Sequence, residues 1–287
     1  MSNSIIIAGK YRLLKKIGAG SFGKIFSATD NTDTASTDTA STTPNNTKKA
    51  YAVKVMALSQ RPIMENEVAI YEKIREIKNI PSLYESGNEG KINYIVMDLL
   101  GQSLEEFRTN YGETINRNIV LHLGMQMLMI IEQVHAYGII HRDLKPSNFL
   151  LKTNAVGISE LYLIDFGLAK CFLDEKSRHY TIKTNETMVG TLRYMSVNSH
   201  HGLTASRRDD LESLGYIMMF LYHGTLPWQN QKSVADVISI KQKLVDWTIN
   251  TVGEFVLFIL YCRNLGFADK PNYTYLQNIF LNLSKMF

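Results

Sequence analysis

The sequence predicts an α+β fold: a small β-rich lobe with one helix, joined to a larger α-helical lobe. Three observations predict it. The first hundred residues carry short β-branched and aromatic runs punctuated by glycine, with one stretch of helical spacing. Past Gly101 the apolar spacing lengthens to three and four, over much longer runs. The chain has 287 residues, 45% hydrophobic and 20% charged, enough to bury a core without disulfides or metals.

The elements follow in order. YRLLKKIGAG, 11–20, leads into SFGKIFSATD, 21–30, a hairpin turning on glycines. Residues 30–48 read as a flexible Ser/Thr-rich insertion. YAVKVMA, 51–57, alternates as a strand does. MENEVAIYEKIREIK, 64–78, predicts a helix with Ile70, Tyr71, Ile74 and Ile77 on one face. SLYESG and INYIVMDL predict two more strands. The join falls at MDLLG, 97–101, which sets a first lobe at about 11–97, a hinge at 98–101 and a second lobe at about 102–287. NIVLHLGMQMLMIIEQVHAYG, 118–138, predicts a long helix. Its apolar face holds Ile119, Leu123, Met127, Ile130, Ile131 and Val134, and Gly138 follows as a helix-ending residue. Residues 208–222, 255–262 and 273–283 predict three more helices.

Composition narrows the function classes. A net charge of +4, from 31 basic and 27 acidic residues, suits phosphate-bearing ligands without calling for nucleic acid. Cys171 and Cys262 form no CxxC and no His/Cys cluster, so two buried free thiols in a reducing compartment are expected. The start MSNSIIIAGK does not read as a secretory signal, and FVLFILYC is shorter than the ~20 residues that span a bilayer. A soluble intracellular monomer, in cytoplasm or nucleus, is expected. Met125, Met127 and Met129 read as core, His200 and His201 as surface histidines, Trp228 and Trp247 as packing residues.

Several clusters carry chemistry. Gly18-Ala19-Gly20-Ser21-Phe22-Gly23 is a GxGxxG followed by a strand, not the helix that a dinucleotide fold requires. A glycine hairpin of this kind can present backbone N–H groups to phosphates. Lys54 shares its strand face with Ala52 and Met56, so it points at an apolar wall. Glu67 shares a helix face with Ile70, Tyr71 and Ile74. Either charge is costly inside unless paired, and each would satisfy the other. His141-Arg-Asp-Leu-Lys-Pro-Ser-Asn148 is a charged segment bracketed by apolar runs. Asp165 closes the apolar stretch LYLID. Asn148 and Asp165 are hard oxygen donors suited to Mg²⁺. Asp143 can accept a hydroxyl proton, and Lys145 can stabilise charge on a transferring phosphoryl group.

Taken in order, these segments resemble the protein kinase family: GxGxxG, a VAVK-like strand, a helix Glu, HRDLKPxN, DFG. The resemblance runs from about residue 11 to the C-terminus. It implies a two-lobed kinase fold that binds ATP and Mg²⁺. An ATP site is implied at Ile17, Gly18, Ala19, Gly20, Ser21, Phe22, Gly23, Ile25, Ala52, Lys54, Glu67, Met97 and Leu100, with Met97 at the gatekeeper position and Asp98 to Leu100 as the hinge. Asn148 and Asp165 would hold Mg²⁺. Asp143, Lys145 and Thr191 would be catalytic.

Within that family the chain resembles casein kinase 1. GTLRYMSVNSHHG, 190–202, stands where most kinases have an APE triplet, and SRRDDLESLGY, LPW and DKPNYTYL follow. The likeness implies a Ser/Thr kinase for acidic protein substrates. It implies that Thr191 touches the catalytic Asp and Lys, that Asp210 braces the HRD backbone, and that Arg193 forms one arm of a substrate anion pocket. Two departures stand out. NQKSVADVIS, 230–239, replaces a basic stretch, and Glu186 replaces a lysine. An acidic preference without tight phosphate priming is therefore expected. Ser147 replaces an Asp that is not a metal ligand, so little effect follows. The rival class is a pseudokinase-like binding scaffold, against which stand Lys54, Glu67, Asp143, Lys145, Asn148 and Asp165. A kinase of small molecules is a third class, disfavoured by the 190–200 segment. The chain ends near the family's catalytic core, as a bare and constitutively competent catalytic domain would.

The insertion holds TDTASTDTAS, 32–41, a perfect five-residue repeat. Repeat slippage would produce it. Yet Asp33 lies three residues before Ser36 and Asp38 three before Ser41, which is the acidic pattern of the family's targets, twice over. The alternative to slippage is that Ser36 and Ser41 are self-phosphorylation sites, modified between molecules.

Overall fold

A computed structural model of the chain describes residues 5–20, 22–31, 49–112, 114–153, 159–243 and 253–284. Ser21, the repeat with Ser36 and Ser41, and Trp247 lie outside the described residues. The chain divides into two compact units, residues 1–100 and 101–287.

The first unit is a six-stranded sheet with one α-helix. Its strands are β1 (Ile6–Ile7), β2 (Tyr11–Gly20), β3 (Gly23–Asp30), β4 (Ala50–Ala57), β5 (Leu83–Glu89) and β6 (Ile92–Asp98), ordered β1-β2-β3-β4-β6-β5 with every neighbour antiparallel. Gly20 faces Gly23 across the predicted hairpin. Asp30 belongs to β3, where it pairs with Lys10, so the insertion begins after it rather than at residue 30. β4 lies inside the sheet and is buried on both faces, which is why it is nearly continuously apolar. One face packs Tyr51 and Val53 with Ile7, Tyr11, Ala28, Tyr94 and Val96. Period-two alternation turns Ala52, Lys54 and Met56 to the other.

Helix α1 spans Arg61–Lys73 rather than 64–78. Pro62 in its first turn is the start signal that the apolar spacing hid. Past Lys73 the buried Ile74, Ile77 and Ile80 recur strictly every third residue. They sit on successive turns, with Ile77 N–H donating to Ile74 O (3.0 Å) and Ile80 N–H to Ile77 O (3.2 Å). A spacing of three suits tight turns as well as it suits a helix.

The second unit holds α2 (Leu104–Tyr111), α3 (Arg117–Ala136), α4 (Val197–His200), α5 (Arg207–His223), α6 (Val234–Gln242), α7 (Gly253–Asn264) and α8 (Tyr273–Ser284). Two short antiparallel ladders accompany them: β7 (Ile139–Ile140) with β10 (Lys170–Cys171), and β8 (Phe149–Thr153) with β9 (Ser159–Leu163). α5 is buried from Asp209 to Leu221 and packs against α3 and α7, while α8 packs on α3. Gly138, at φ +75°, ends α3 as expected. The buried face of α3 takes Val120, while Ile119 is exposed. Of the three methionines only Met127 is core; Met125 is half-buried and Met129 exposed. By length and composition α3 could cross a membrane, but 56% of its apolar window is buried within the protein.

Helices α2 and α6 escaped the apolar spacing because each is short. Their signals lie in the caps: Ser103 and Glu106 close a capping box, and the Ser233 hydroxyl accepts the Asp236 N–H (3.1 Å). Neither cysteine forms a disulfide; Cys262 is buried as expected, but Cys171 is only partly so. His200 corrects the surface reading, being 6% exposed, while His201 is exposed.

Candidate functional site

The site residues expected from sequence fall into two sets, one in each unit. In the first, β4 aims Lys54 toward α1, whose inner face carries Met64, Glu67, Ile70 and Tyr71. Lys54 Nζ donates to Glu67 Oε1 (2.9 Å) and Oε2 (2.7 Å), with the residues 7% and 0% exposed. The two charges satisfy one another, as burial demands. The glycines differ among themselves. A Cβ on Gly23 would collide with Val55 O, so packing alone requires that glycine. A Cβ on Gly20 would meet nothing within 4 Å, and one on Gly18 only ordinary contact with Ile25. Ala19 lies on the same strand, exposed like Ile17, and Phe22 lies in the turn before β3. Met97 on β6 is buried and pairs with Ala52, and Leu100 ends the unit half-buried. Asp98 accepts hydrogen bonds from Ser82 N–H (3.0 Å) and the Tyr84 hydroxyl (2.7 Å), which ties β6 to β5.

In the second unit the 141–148 loop follows β7 and is held from below by α5. Asp210 accepts the backbone N–H groups of His141 (2.7 Å) and Arg142 (2.9 Å). Its Oδ2 also meets His135 Nε2 (3.0 Å), and His135 Nδ1 meets the Tyr273 hydroxyl (2.6 Å). Burial opposes the Asp210 charge, but the hydrogen bonds and charge of His135 and His141 outweigh it and hold the carboxyl below its usual range. Arg142 sits at φ +69°, a left-handed conformation that the two Asp210 bonds help to maintain.

That brace presents Asp143, only 6% exposed. Oδ1 accepts the Thr191 N–H (2.8 Å) and the Thr191 hydroxyl (2.7 Å), and Oδ2 accepts Lys145 Nζ (2.6 Å). Lys145 Nζ also reaches Thr191 Oγ1 at 3.4 Å. Three of the roughly four lone-pair positions of the carboxylate are thus engaged, which fixes its plane and leaves room for one more donor. Thr191 comes this close because Gly190 precedes it. Gly190 has φ +100°, and a Cβ there would lie 2.5 Å from Arg142 O. Asn148 donates its side-chain amide N–H to Asp143 O (2.9 Å), and its backbone carbonyl accepts Ile164 N–H (3.0 Å), which joins the loop to the segment of Asp165. Asp165 is left-handed at φ +68°, a strained state for a non-glycine residue.

Among the described residues no group of three His, Cys, Asp or Glu could cage a metal. One carboxylate and one amide oxygen fit Mg²⁺, which keeps water and substrate phosphate in its shell rather than filling it with protein. Arg193, expected as an anion arm, already has an acidic neighbour. Arg193 lies 4.0 Å from Glu105, and burial raises the Glu105 carboxyl while Arg193 lowers it. Glu186 lines a surface cavity together with Arg142 and Lys170. Ser147 is exposed.

Sequence reasoning missed His135, Tyr273 and Gly190. His135 could have been found: it sits beside Val134 on the buried stripe of α3, where a polar residue needs a partner. Gly190 carried no signal apart from its neighbours. Across the chain, the family model described as the protein kinase domain matches residues 11–255.

Proposed function

Because the chain belongs to the protein kinase family, we propose that it is an active Ser/Thr kinase resembling casein kinase 1, one that phosphorylates acidic protein substrates. Kinase domains generally use ATP and Mg²⁺ and act on proteins. The observation that carries the reading is the Asp143 carboxylate, held by Thr191 and Lys145 with room for one further donor. A substrate hydroxyl donates there. As its oxygen bonds to the γ-phosphorus of ATP and ADP departs, its proton passes to Asp143. Lys145 offsets charge on the phosphoryl oxygens. Asn148, whose amide nitrogen is committed to Asp143 O, and Asp165 would hold Mg²⁺, which neutralises phosphate charge when bound. In the first unit Lys54, oriented by Glu67, and the backbone of Gly18 and Gly20 bind phosphate oxygens. Ile17, Ile25, Ala52, Met97 and Leu100 supply apolar surface for the adenine. A scaffold would have no chemical need for so constrained a carboxylate.

Asp143→Asn should abolish phosphate transfer to an acidic peptide while ATP binding, followed by calorimetry, persists. Turnover near wild type in that variant would refute the mechanism. For substrate choice, Arg193 beside Glu105, and Glu186 beside Arg142 and Lys170, support an acidic preference without tight priming. Peptides with Asp or phosphoserine three residues before the target should differ in kcat/KM by much less than a hundredfold. A hundredfold gain for the phosphopeptide would overturn this preference and leave the kinase reading intact.

A further inference from the structure

Lys241 on α6 is completely buried. Among the described residues no carboxylate forms an ion pair with it. Glu212 of α5 faces the same space but is bound by Arg263 (3.0 Å) and the Tyr216 hydroxyl (2.5 Å). The ammonium instead donates to two backbone carbonyls, Leu192 O (3.0 Å) and Met195 O (2.7 Å). It also meets His200 Nε2 at 3.1 Å and lies over the rings of Tyr216 (4.7 Å) and Trp228 (5.1 Å). Between those two carbonyls, Arg193 O accepts the Trp228 indole N–H (2.7 Å). The turn so gripped starts at Thr191, whose carbonyl accepts Tyr194 N–H (2.9 Å) and Met195 N–H (3.1 Å).

A buried amine spent on backbone carbonyls is an expensive way to stabilise a fold, since an apolar side chain would fill the space without desolvating a charge. What it does supply is a fixed position for the turn. We propose that Lys241 is a positioning residue for phosphate transfer, holding the 192–195 carbonyls so that Thr191 stays bonded to Asp143. The inference rests on the roles given above to Asp143 and Thr191. Lys241 acts through the backbone and touches neither nucleotide nor substrate.

Groups from every element around it face Lys241: His200 from α4, Glu212 and Tyr216 from α5, Trp228 from the turn after α5, and Arg263 from α7. Burial lowers the amine to about 7, with Glu212 raising it and Arg263 lowering it further. Burial and Lys241 together push His200 down to about 4, so its ring is neutral at working pH. A base depressed in the folded state binds fewer protons there than in the unfolded chain between pH 7 and about 10.4, so its contribution to stability rises with pH over that window.

The test is Lys241→Met, with Lys241→Gln as a second variant that retains a polar head. In Lys241→Met kcat should fall at least tenfold, with the KM for ATP within twofold of wild type. The loss should shrink below twofold when Lys241→Met is placed on Thr191→Ala, because both act through one contact. The unfolding stability of wild type relative to Lys241→Met should climb from pH 7 to pH 10, and at pH 7 the variant should be no less stable. If Lys241→Met does not fold, Lys241→Gln must show the same kcat-against-KM split. Wild-type kcat in a folded variant, or losses that add in full on Thr191→Ala, would overturn the inference. With Asp143→Asn inactive, that outcome sinks only the role of Lys241; an active Asp143→Asn sinks the parent reading instead.

Discussion

The Lys54–Glu67 contact shows how much a single residue pair controls. Both charges are buried, and each is tolerated because of the other. Glu67→Leu removes the carboxylate that Lys54 binds and should cost about 3 kcal/mol in urea unfolding. The double variant Lys54→Met/Glu67→Leu should recover to within about 1 kcal/mol of wild type, since no charge then stays buried. Full-size, additive losses in the double variant would show that the pair is not coupled. Lys54 and Glu67 illustrate what a sequence lets one read at this scale. A charge flanked by apolar neighbours in a regular element must find a partner, and an opposite charge in the same predicament satisfies both. His135 obeys the same logic but was missed, because its partners Asp210 and Tyr273 lie 75 and 138 residues away.

At the scale of elements, the strands and long helices were legible because their apolar residues repeat with the period of the backbone. Ends and short helices were less so. α1 ran on in the sequence reading because Ile74 and Ile77 continue the helical spacing of Ile70 and Tyr71, and a spacing of three satisfies a helix and a chain of turns alike. α2 and α6 are written in their caps rather than their faces. The 190–195 turn carries Thr191 to Asp143, and Gly190 opens it at a close approach to Arg142 O. Gly190→Ala puts a Cβ 2.5 Å from Arg142 O at a φ of +100°. Strain of about 1–3 kcal/mol should displace Thr191 from Asp143, so kcat should drop roughly tenfold or more while ATP affinity stays within twofold. Unchanged kcat in a steady-state assay would mean that the turn tolerates the shift.

At the scale of the whole molecule, the prediction concerns encounters between copies. If Ser36 and Ser41 are substrates of this chain acting between molecules, incubation with MgATP should place phosphate on both. The initial rate should rise with the square of protein concentration. A rate proportional to concentration would place transfer within one molecule, and no phosphate after long incubation would leave repeat slippage as the account of TDTASTDTAS. The sequence by itself determined the α+β class, the ordered motifs from Gly18 to Asp165 and the pairing of Lys54 with Glu67. Each follows from local periodicity or from residue types at short spacing. The resemblance implied that Asp210 braces the 141–142 backbone and that Thr191 touches Asp143; only the tertiary structure decided that Asp210 also meets His135, that Gly190 is what lets Thr191 come against Asp143, that Arg193 already has Glu105 beside it, and that Lys241 grips the 192–195 turn. Those contacts join residues 46 to 88 positions apart in the chain, a span over which spacing along a sequence carries no record of distance in space.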